Sequence, residues 1–259
     1  MPHGDFSWYQ LCTTDVEPAG AFYRRLLDWQ GRDAGMPGMT YILLSKDGVD
    51  VGGMMALPED VLKAAIGPYW MGYVDVEDVD ATAARVSASG GVIHSPPADI
   101  PDVGRFAVIG DPQGAVLSLI HWNEGNAPPP APANRMGAVG WHELAATDWQ
   151  AVFPFYAELF GWTKGEPIDM GGMGTYQLFE HGGRAIGGMF NKPPEMPAPG
   201  WLYYAQVPDI AAAVATIAAE GGQVLHGPME VPGGAWIAQG RDPQGAYFAV
   251  VAPPAGEMT

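Results

Sequence analysis

The sequence predicts an α+β protein built as two tandem copies of one domain. Three observations carry that expectation. Residues 8–29, WYQLCTTDVEPAGAFYRRLLDW, align without a gap on residues 141–162, WHELAATDWQAVFPFYAELFGW, at an offset of 133. Trp8, Leu11, Thr14, Asp15, Phe22, Tyr23, Leu26 and Trp29 meet Trp141, Leu144, Thr147, Asp148, Phe155, Tyr156, Leu159 and Trp162. The echo continues downstream. Gly52-Gly53-Met54 returns as Gly187-Gly188-Met189, and Asp111-Pro112-Gln113-Gly114-Ala115 as Asp242-Pro243-Gln244-Gly245-Ala246, with offsets drifting only between 131 and 135. Small drifts are what loop insertions produce. Finally, strand and helix patterns follow the same order in both copies. A period this long, present twice, means two domains rather than a solenoid, and 259 residues suffice for two cores. The expected boundaries are 1–122 and 137–259. Between them residues 123–136, NEGNAPPPAPANRM, carry a Pro/Ala run that favours extended polyproline geometry and reads as a semi-rigid spacer.

Each copy opens with a strand, Trp8–Thr13 or Trp141–Ala146. Asp15 or Asp148 follows as the helix N-cap, its carboxylate accepting free N–H groups of the first turn. Pro18 sits near the start of the first helix, where a missing N–H costs little. Phe22, Leu26 and Trp29 recur at i, i+4 and i+7, as do Phe155, Leu159 and Trp162, which predicts one apolar helix face. Gly31 and Gly161 are placed near the helix ends.

A hairpin comes next: Tyr41–Leu44 and Val49–Ala56 around Lys46-Asp47-Gly48, or Tyr176–Phe179 and Arg184–Phe190 around His181-Gly182-Gly183. The segment 57–68 reads as a short helix. A fourth strand (Trp70–Val76; Leu202–Val207) leads into an Ala-rich helix (Val79–Ser89; Ile210–Glu220) stopped by Gly90-Gly91 or Gly221-Gly222. Two further strands, joined at the tight Asp-Pro-Gln-Gly turn, close each copy. The expected order is β-α-β-β-β-α-β-β, twice.

Composition excludes several functions. A net charge of −17 with only 12 Lys+Arg argues against nucleic acid and against anionic membranes. The longest apolar runs, such as 115–120 and 246–252, suit strands and are too short for a membrane span. The start MPHGDFSWYQ lacks a basic segment followed by an apolar one, and the single Cys12 fits a reducing compartment, so a cytoplasmic protein is expected.

With these motifs in order twice over, the chain resembles the vicinal oxygen chelate superfamily of glyoxalases, bleomycin-resistance proteins and extradiol dioxygenases. The resemblance rests on Thr14-Asp15 and Thr147-Asp148, on Phe22-Tyr23 and Phe155-Tyr156 followed by Leu-x-x-Trp, and on Asp111-Pro112-x-Gly114 and Asp242-Pro243-x-Gly245. It implies two glyoxalase-like domains whose βαβββ units pair into curved, half-open barrels with ligand on the concave face. It also implies three metal-ligand positions per copy, occupied in the metal enzymes by His, Gln or Glu. Here they fall on Trp8, Met71 and Ser118, and on Trp141, Leu202 and Ala249. None is a normal ligand for Zn²⁺, Ni²⁺, Mn²⁺ or Fe²⁺. No resident cofactor is expected, although the family's divalent metal stays open through displaced ligands.

Strand alternation puts Trp8, Gln10 and Cys12 on one face and Trp141, Glu143 and Ala145 on the matching face. If the family position faces the cavity, Gln10 and Glu143 do too, and Glu143 becomes the candidate proton acceptor. The expected ligand-binding wall is Trp8, Gln10, Met71, Tyr73, Ser118, Trp141, Tyr204 and Tyr247. An apolar, aromatic surface with few polar groups suits a small molecule, but it equally suits residues that only pack the copies together. His142, of opposite parity, is expected to be structural. His94 and His226, matched as His-x-Pro, are expected to end a strand.

Three functions remain open: a metal-free protein binding a small, partly apolar molecule; a lyase, isomerase or dioxygenase using displaced ligands or Glu143; and a structural protein with filled cavities. Either a monomer or a homodimer is compatible.

Overall fold

A computed structural model describes residues 2–36, 38–129 and 135–254. Residues 130–134 of the Pro/Ala spacer lie outside the described residues.

The first half runs β1 (Phe6–Thr13), α1 (Val16–Leu27), β2 (Gln30–Asp33), β3 (Tyr41–Lys46), β4 (Val49–Ala56), α2 (Glu59–Lys63), β5 (Tyr69–Asp75), α3 (Val79–Ala88), β6 (Val92–Ile100), β7 (Gly104–Gly110) and β8 (Val116–Trp122). The second runs β9 (Val139–Ala146), α4 (Trp149–Phe160), β10 (Thr163–Asp169), a 3₁₀ turn at Gly171–Met173, β11 (Thr175–His181), β12 (Arg184–Asn191), β13 (Gly200–Gln206), α5 (Ile210–Ala219), β14 (Gln223–Glu230), β15 (Trp236–Arg241) and β16 (Tyr247–Ala252). These form two eight-stranded mixed sheets, ordered β2-β3-β4-β1-β5-β8-β7-β6 and β10-β11-β12-β9-β13-β16-β15-β14, neither closed into a barrel. The fold is α+β, as the sequence predicts.

The expected order omits one strand after each helix. The missing strands are β2, β6, β10 and β14, and they are the four sheet edges. An edge strand buries little, so its hydrophobic alternation is weak. All four residues of β2 are exposed, and β6, β10 and β14 carry prolines (Pro96-Pro97, Pro167, Pro228) that argue against a central strand. His94 and His226 consequently lie inside β6 and β14 rather than at strand ends. Helix ends also differ from expectation. Asp28 takes the left-handed cap of α1 (φ 56°) where Gly161 caps α4 (φ 72°), and Gly31 belongs to β2. Trp29 and Trp162 therefore stand just beyond their helices.

The chain divides into two compact units, each drawing on both sequence copies. Residues 2–8, 71–129 and 142–201 form one, and residues 9–70, 135–141 and 202–254 the other.

In the first unit Asp148 caps α4 by accepting from the Gln150 and Ala151 amides. Its buried face presents Tyr156, Leu159 and Phe160 to a cluster containing Trp162, Phe179 and the half-buried Trp201. Trp162 Nε1 donates to the Gly4 carbonyl at 2.8 Å, which pins the segment before β1. Asp111 organises its tight turn. Oδ1 accepts from the Gln113 and Ala115 amides, leaving Oδ2 for the Tyr156 hydroxyl at 2.8 Å.

The second unit repeats the design. Phe22, Tyr23, Leu26 and Trp29 pack with Ile217 of α5, Phe248 and Val250 of β16 and Met54 of β4. Trp29 Nε1 donates to the Gly137 carbonyl at 2.7 Å. Asp242 Oδ1 accepts from the Gln244, Gly245 and Ala246 amides, and Oδ2 from the Tyr23 hydroxyl at 3.0 Å. The Phe-Tyr and Asp-Pro-Gln-Gly motifs are thus two ends of one buried hydrogen bond.

Replacing Tyr156 by Phe leaves Asp111 Oδ2 without that donor. Stripping a buried carboxylate of a donor costs about 1–3 kcal/mol, so urea unfolding of Tyr156→Phe is expected to show a midpoint lowered accordingly. An unchanged midpoint would remove this bond from the architecture.

Candidate functional site

The face of β1 that carries Trp8 also carries Gln10, and the face of β9 that carries Trp141 also carries Glu143. Around Gln10 and Glu143 the two copies build the same three-strand device. Gln10 stands opposite Gly53 on the parallel strand β4, and Glu143 opposite Gly188 on β12. Tyr41 on β3 donates to Gln10 Oε1 at 3.2 Å, and Tyr176 on β11 donates to Glu143 Oε2 at 3.1 Å. Each tyrosine thereby reaches a residue two strands away.

Adjacent strands lie about 4.8 Å apart, so the ring must cross the strand between. Only a residue without a side chain lets it do so. A Cβ on Gly53 would sit 2.1 Å from Tyr41 Oη, and one on Gly188 would sit 2.0 Å from Tyr176 Cε1. This crossing explains the second glycine of each repeated pair; a Cβ on the first would meet a backbone carbonyl, Tyr9 O at 2.5 Å from Gly52 and His142 O at 2.1 Å from Gly187. Tyr176 also stacks on Phe190, with ring centroids 5.9 Å apart.

The two copies differ in chemistry. Gln10 is a neutral amide whose Nε2 donates to Cys12 Sγ and Met55 Sδ, both at 3.4 Å. Burial pushes the Cys12 thiol up, away from reactive thiolate. Glu143 places a half-buried carboxylate in the equivalent position.

The other expected wall residues are distributed as follows. In the first unit Trp8 is buried against Trp122 in an edge-on contact, centroids 5.8 Å apart. Buried Tyr73 stands opposite buried Ser118, whose Oγ donates to Met71 Sδ at 2.8 Å. In the second unit Tyr204 is buried and accepts from Gln239 Nε2 at 2.6 Å. Trp141 is half-buried. Tyr247 is 58% exposed beneath the Arg241 guanidinium, outside the buried aromatic residues.

Sequence reasoning missed Tyr41, Tyr176, Trp122 and Gln239. Tyr41 and Tyr176 were legible in principle, since they repeat at the same offset of 135 as the Gly-Gly pairs.

The donor set at the family's ligand positions does not fit a divalent metal. Trp8, Met71 and Ser118 offer an indole, a thioether and a neutral hydroxyl already directed at that thioether. Trp141, Leu202 and Ala249 offer no oxygen, thiolate or imidazole ligand. Among the described residues, no three His, Cys, Asp or Glu side chains gather as a metal site.

His142 is structural. It is buried, bonded through Nδ1 to the Ile186 carbonyl at 2.6 Å and stacked on Phe6 at 3.9 Å. Burial pulls its pKa down to about 4 from the usual 6.5. Burial also pushes Asp75 up to about 6.

Two predictions follow from these environments. Gly188→Ala drives the Tyr176 ring off β12 and overpacks the sheet, a cost of about 1–3 kcal/mol readable by urea unfolding together with altered tyrosine near-ultraviolet dichroism. The buried titrating groups predict opposing pH effects. Between pH 6.5 and 4 the unfolded chain holds the proton His142 lacks, so that contribution is lost as pH falls; between pH 6 and 3.8 the folded chain holds the proton on Asp75, so that one grows. Of these two effects His142→Phe keeps only that of Asp75, and its stability relative to wild type is expected to improve on going from pH 7 to pH 4.5. A constant difference would show that His142 does not titrate as its burial requires.

Comparison with known proteins gives the setting. The family model described as "Glyoxalase/Bleomycin resistance protein/Dioxygenase superfamily" matches residues 5–119 and again 138–250. "Putative glyoxylase CFP32" of Mycobacterium bovis is 32% identical over 256 residues, covering 96% of this chain and 95% of that protein. "Anthracycline biosynthesis protein DauV" of a Streptomyces species is 29% identical over 263 residues, covering 95% and 92%. Among solved structures, the Mn(II)-bound glyoxalase from Novosphingobium aromaticivorans superposes with TM-score 0.65 at 14% identity, covering 97% of this chain and 82% of that one. The 2,2',3-trihydroxybiphenyl 1,2-dioxygenase from Sphingomonas wittichii gives 0.69 at 12% identity, covering 96% and 90%. At such identities the structures share the fold alone. The doubled family match, over most of the chain, shows that this protein belongs to the glyoxalase/bleomycin resistance protein/dioxygenase superfamily.

Proposed function

We propose that this protein binds a small, partly apolar, aromatic molecule without a resident metal, as a binding member of its superfamily. The observation that carries this reading is the replacement of the ligand positions. Where a metal enzyme needs imidazole or carboxylate, this chain has Trp8, Met71 and Ser118, and Trp141, Leu202 and Ala249. Such residues suit an apolar ring system, and Gln10, Tyr73, Tyr204 and Glu143 supply the few polar groups that fix orientation. The name of the Streptomyces relative supports an anthracycline-like ligand as the first compound class to test.

A second reading has one observation in its favour. Glu143 is a half-buried carboxylate in contact with a phenol, the arrangement from which a lyase or isomerase of this superfamily would draw a proton acceptor. We place the protein in the cytoplasm as a monomer or homodimer, without nucleic-acid or membrane partners. Among the described residues no helix is long and apolar enough to cross a membrane.

The test has two arms. Elemental analysis of protein purified without chelator is expected to give substoichiometric metal, and titration with an anthracycline, followed by its own fluorescence, is expected to saturate equally with and without EDTA. Near-stoichiometric Fe, Mn, Ni or Zn, or binding abolished by EDTA, overturns the metal-free reading. Absence of saturation overturns the ligand class.

A further inference from the structure

The duplication preserved a device and changed its chemistry at one atom pair. In both copies a tyrosine crosses a glycine strand and donates to the residue on the next strand. In copy one the acceptor is the amide oxygen of Gln10, in copy two a carboxylate oxygen of Glu143. An amide offers one acceptor oxygen and two N–H donors and carries no charge, whereas an ionised carboxylate offers two acceptor oxygens and no donor. A phenol donating to a carboxylate favours its ionised form and fixes its plane.

We propose that Tyr176 is the positioning residue for Glu143. It holds the carboxylate in one orientation, so that the copy-two face accepts a hydrogen bond from a donor-bearing ligand such as a phenol. The copy-one face, built on Gln10, takes a neutral polar group instead. This rests on the ligand-binding reading above. Tyr176 is itself held: Gly188 gives its ring room to cross β12, and Phe190 stacks on it. A tyrosine serving only as sheet filling would need no acceptor beneath its hydroxyl. The same hydroxyl contact appears in both copies despite the change of acceptor.

The test needs no ligand, so its outcome is independent of the ligand class. Protein labelled with ¹³C at glutamate carboxyls is titrated by NMR, the Glu143 resonance being the one lost in Glu143→Gln. The Glu143 midpoint is expected to rise by about one unit in Tyr176→Phe, the size of effect one lost hydrogen bond to a carboxylate produces. Gly188→Ala, which displaces the ring without removing its hydroxyl, is expected to raise it in the same direction. Tyr41→Phe is expected to leave it unmoved. A midpoint unchanged in Tyr176→Phe overturns the proposal, as does an equal shift in Tyr41→Phe. Loss of anthracycline binding with an intact Tyr176-dependent midpoint would discard the ligand class and leave the positioning role standing.

Discussion

One buried hydrogen bond, made twice, organises this protein. A helix tyrosine donates to the aspartate of an Asp-Pro-Gln-Gly turn: Tyr23 to Asp242, and Tyr156 to Asp111. The aspartate cannot be replaced by an apolar residue, because its other oxygen closes the turn on two or three backbone amides. Nor is the tyrosine simply core filling, since it also accepts from an indole, Trp70 in one unit and Trp201 in the other. Burial pushes Asp242 up, against the pull of its donors, which is the electrostatic cost of placing a carboxylate there. In each unit the tyrosine comes from one sequence copy and the aspartate from the other. The repeated motifs are therefore halves of a contact rather than independent domain signatures.

The second repeated device shows what duplication leaves free. Gly53 and Gly188 are fixed by sterics, since any Cβ there would overlap a tyrosine ring. Tyr41 and Tyr176 are fixed by the span they cross. The acceptor beneath them is constrained only to accept, a condition both an amide and a carboxylate satisfy. Gln10 and Glu143 are an amide and a carboxylate, yet each accepts from its tyrosine at nearly the same distance, 3.2 and 3.1 Å. Chemistry can diverge at such a position at little structural cost.

The same reasoning applies to the family's ligand positions. A metal ligand set is held by the ion as much as by the sheet. At the positions where the resemblance places ligands, this chain has indole, thioether, hydroxyl and alkyl side chains. Met71 and Ser118 illustrate this, the hydroxyl satisfied locally by the thioether.

How much of this was legible in the sequence follows from where the signal lies. The duplication, the α+β class, both main helices of each copy, the Asp cap of the first of them, and the central strands were readable, the helices and strands because burial imposes periodicity on them. The edge strands were not, because β2 is exposed throughout and β6, β10 and β14 carry prolines, so burial imposes little periodic constraint on them. Parity on β1 and β9 was enough to single out Gln10 and Glu143, since alternation is a property of the strand itself. Their tyrosine partners were not found, although they repeat at the glycine offset, because nothing local says which residue crosses a neighbouring strand. Local chemistry therefore determined the main helices, the central strands and the repeat. Only the tertiary structure decided that Tyr23 belongs to Asp242 and Tyr176 to Glu143, because those pairings depend on strand register and on chain segments 219 and 33 residues apart.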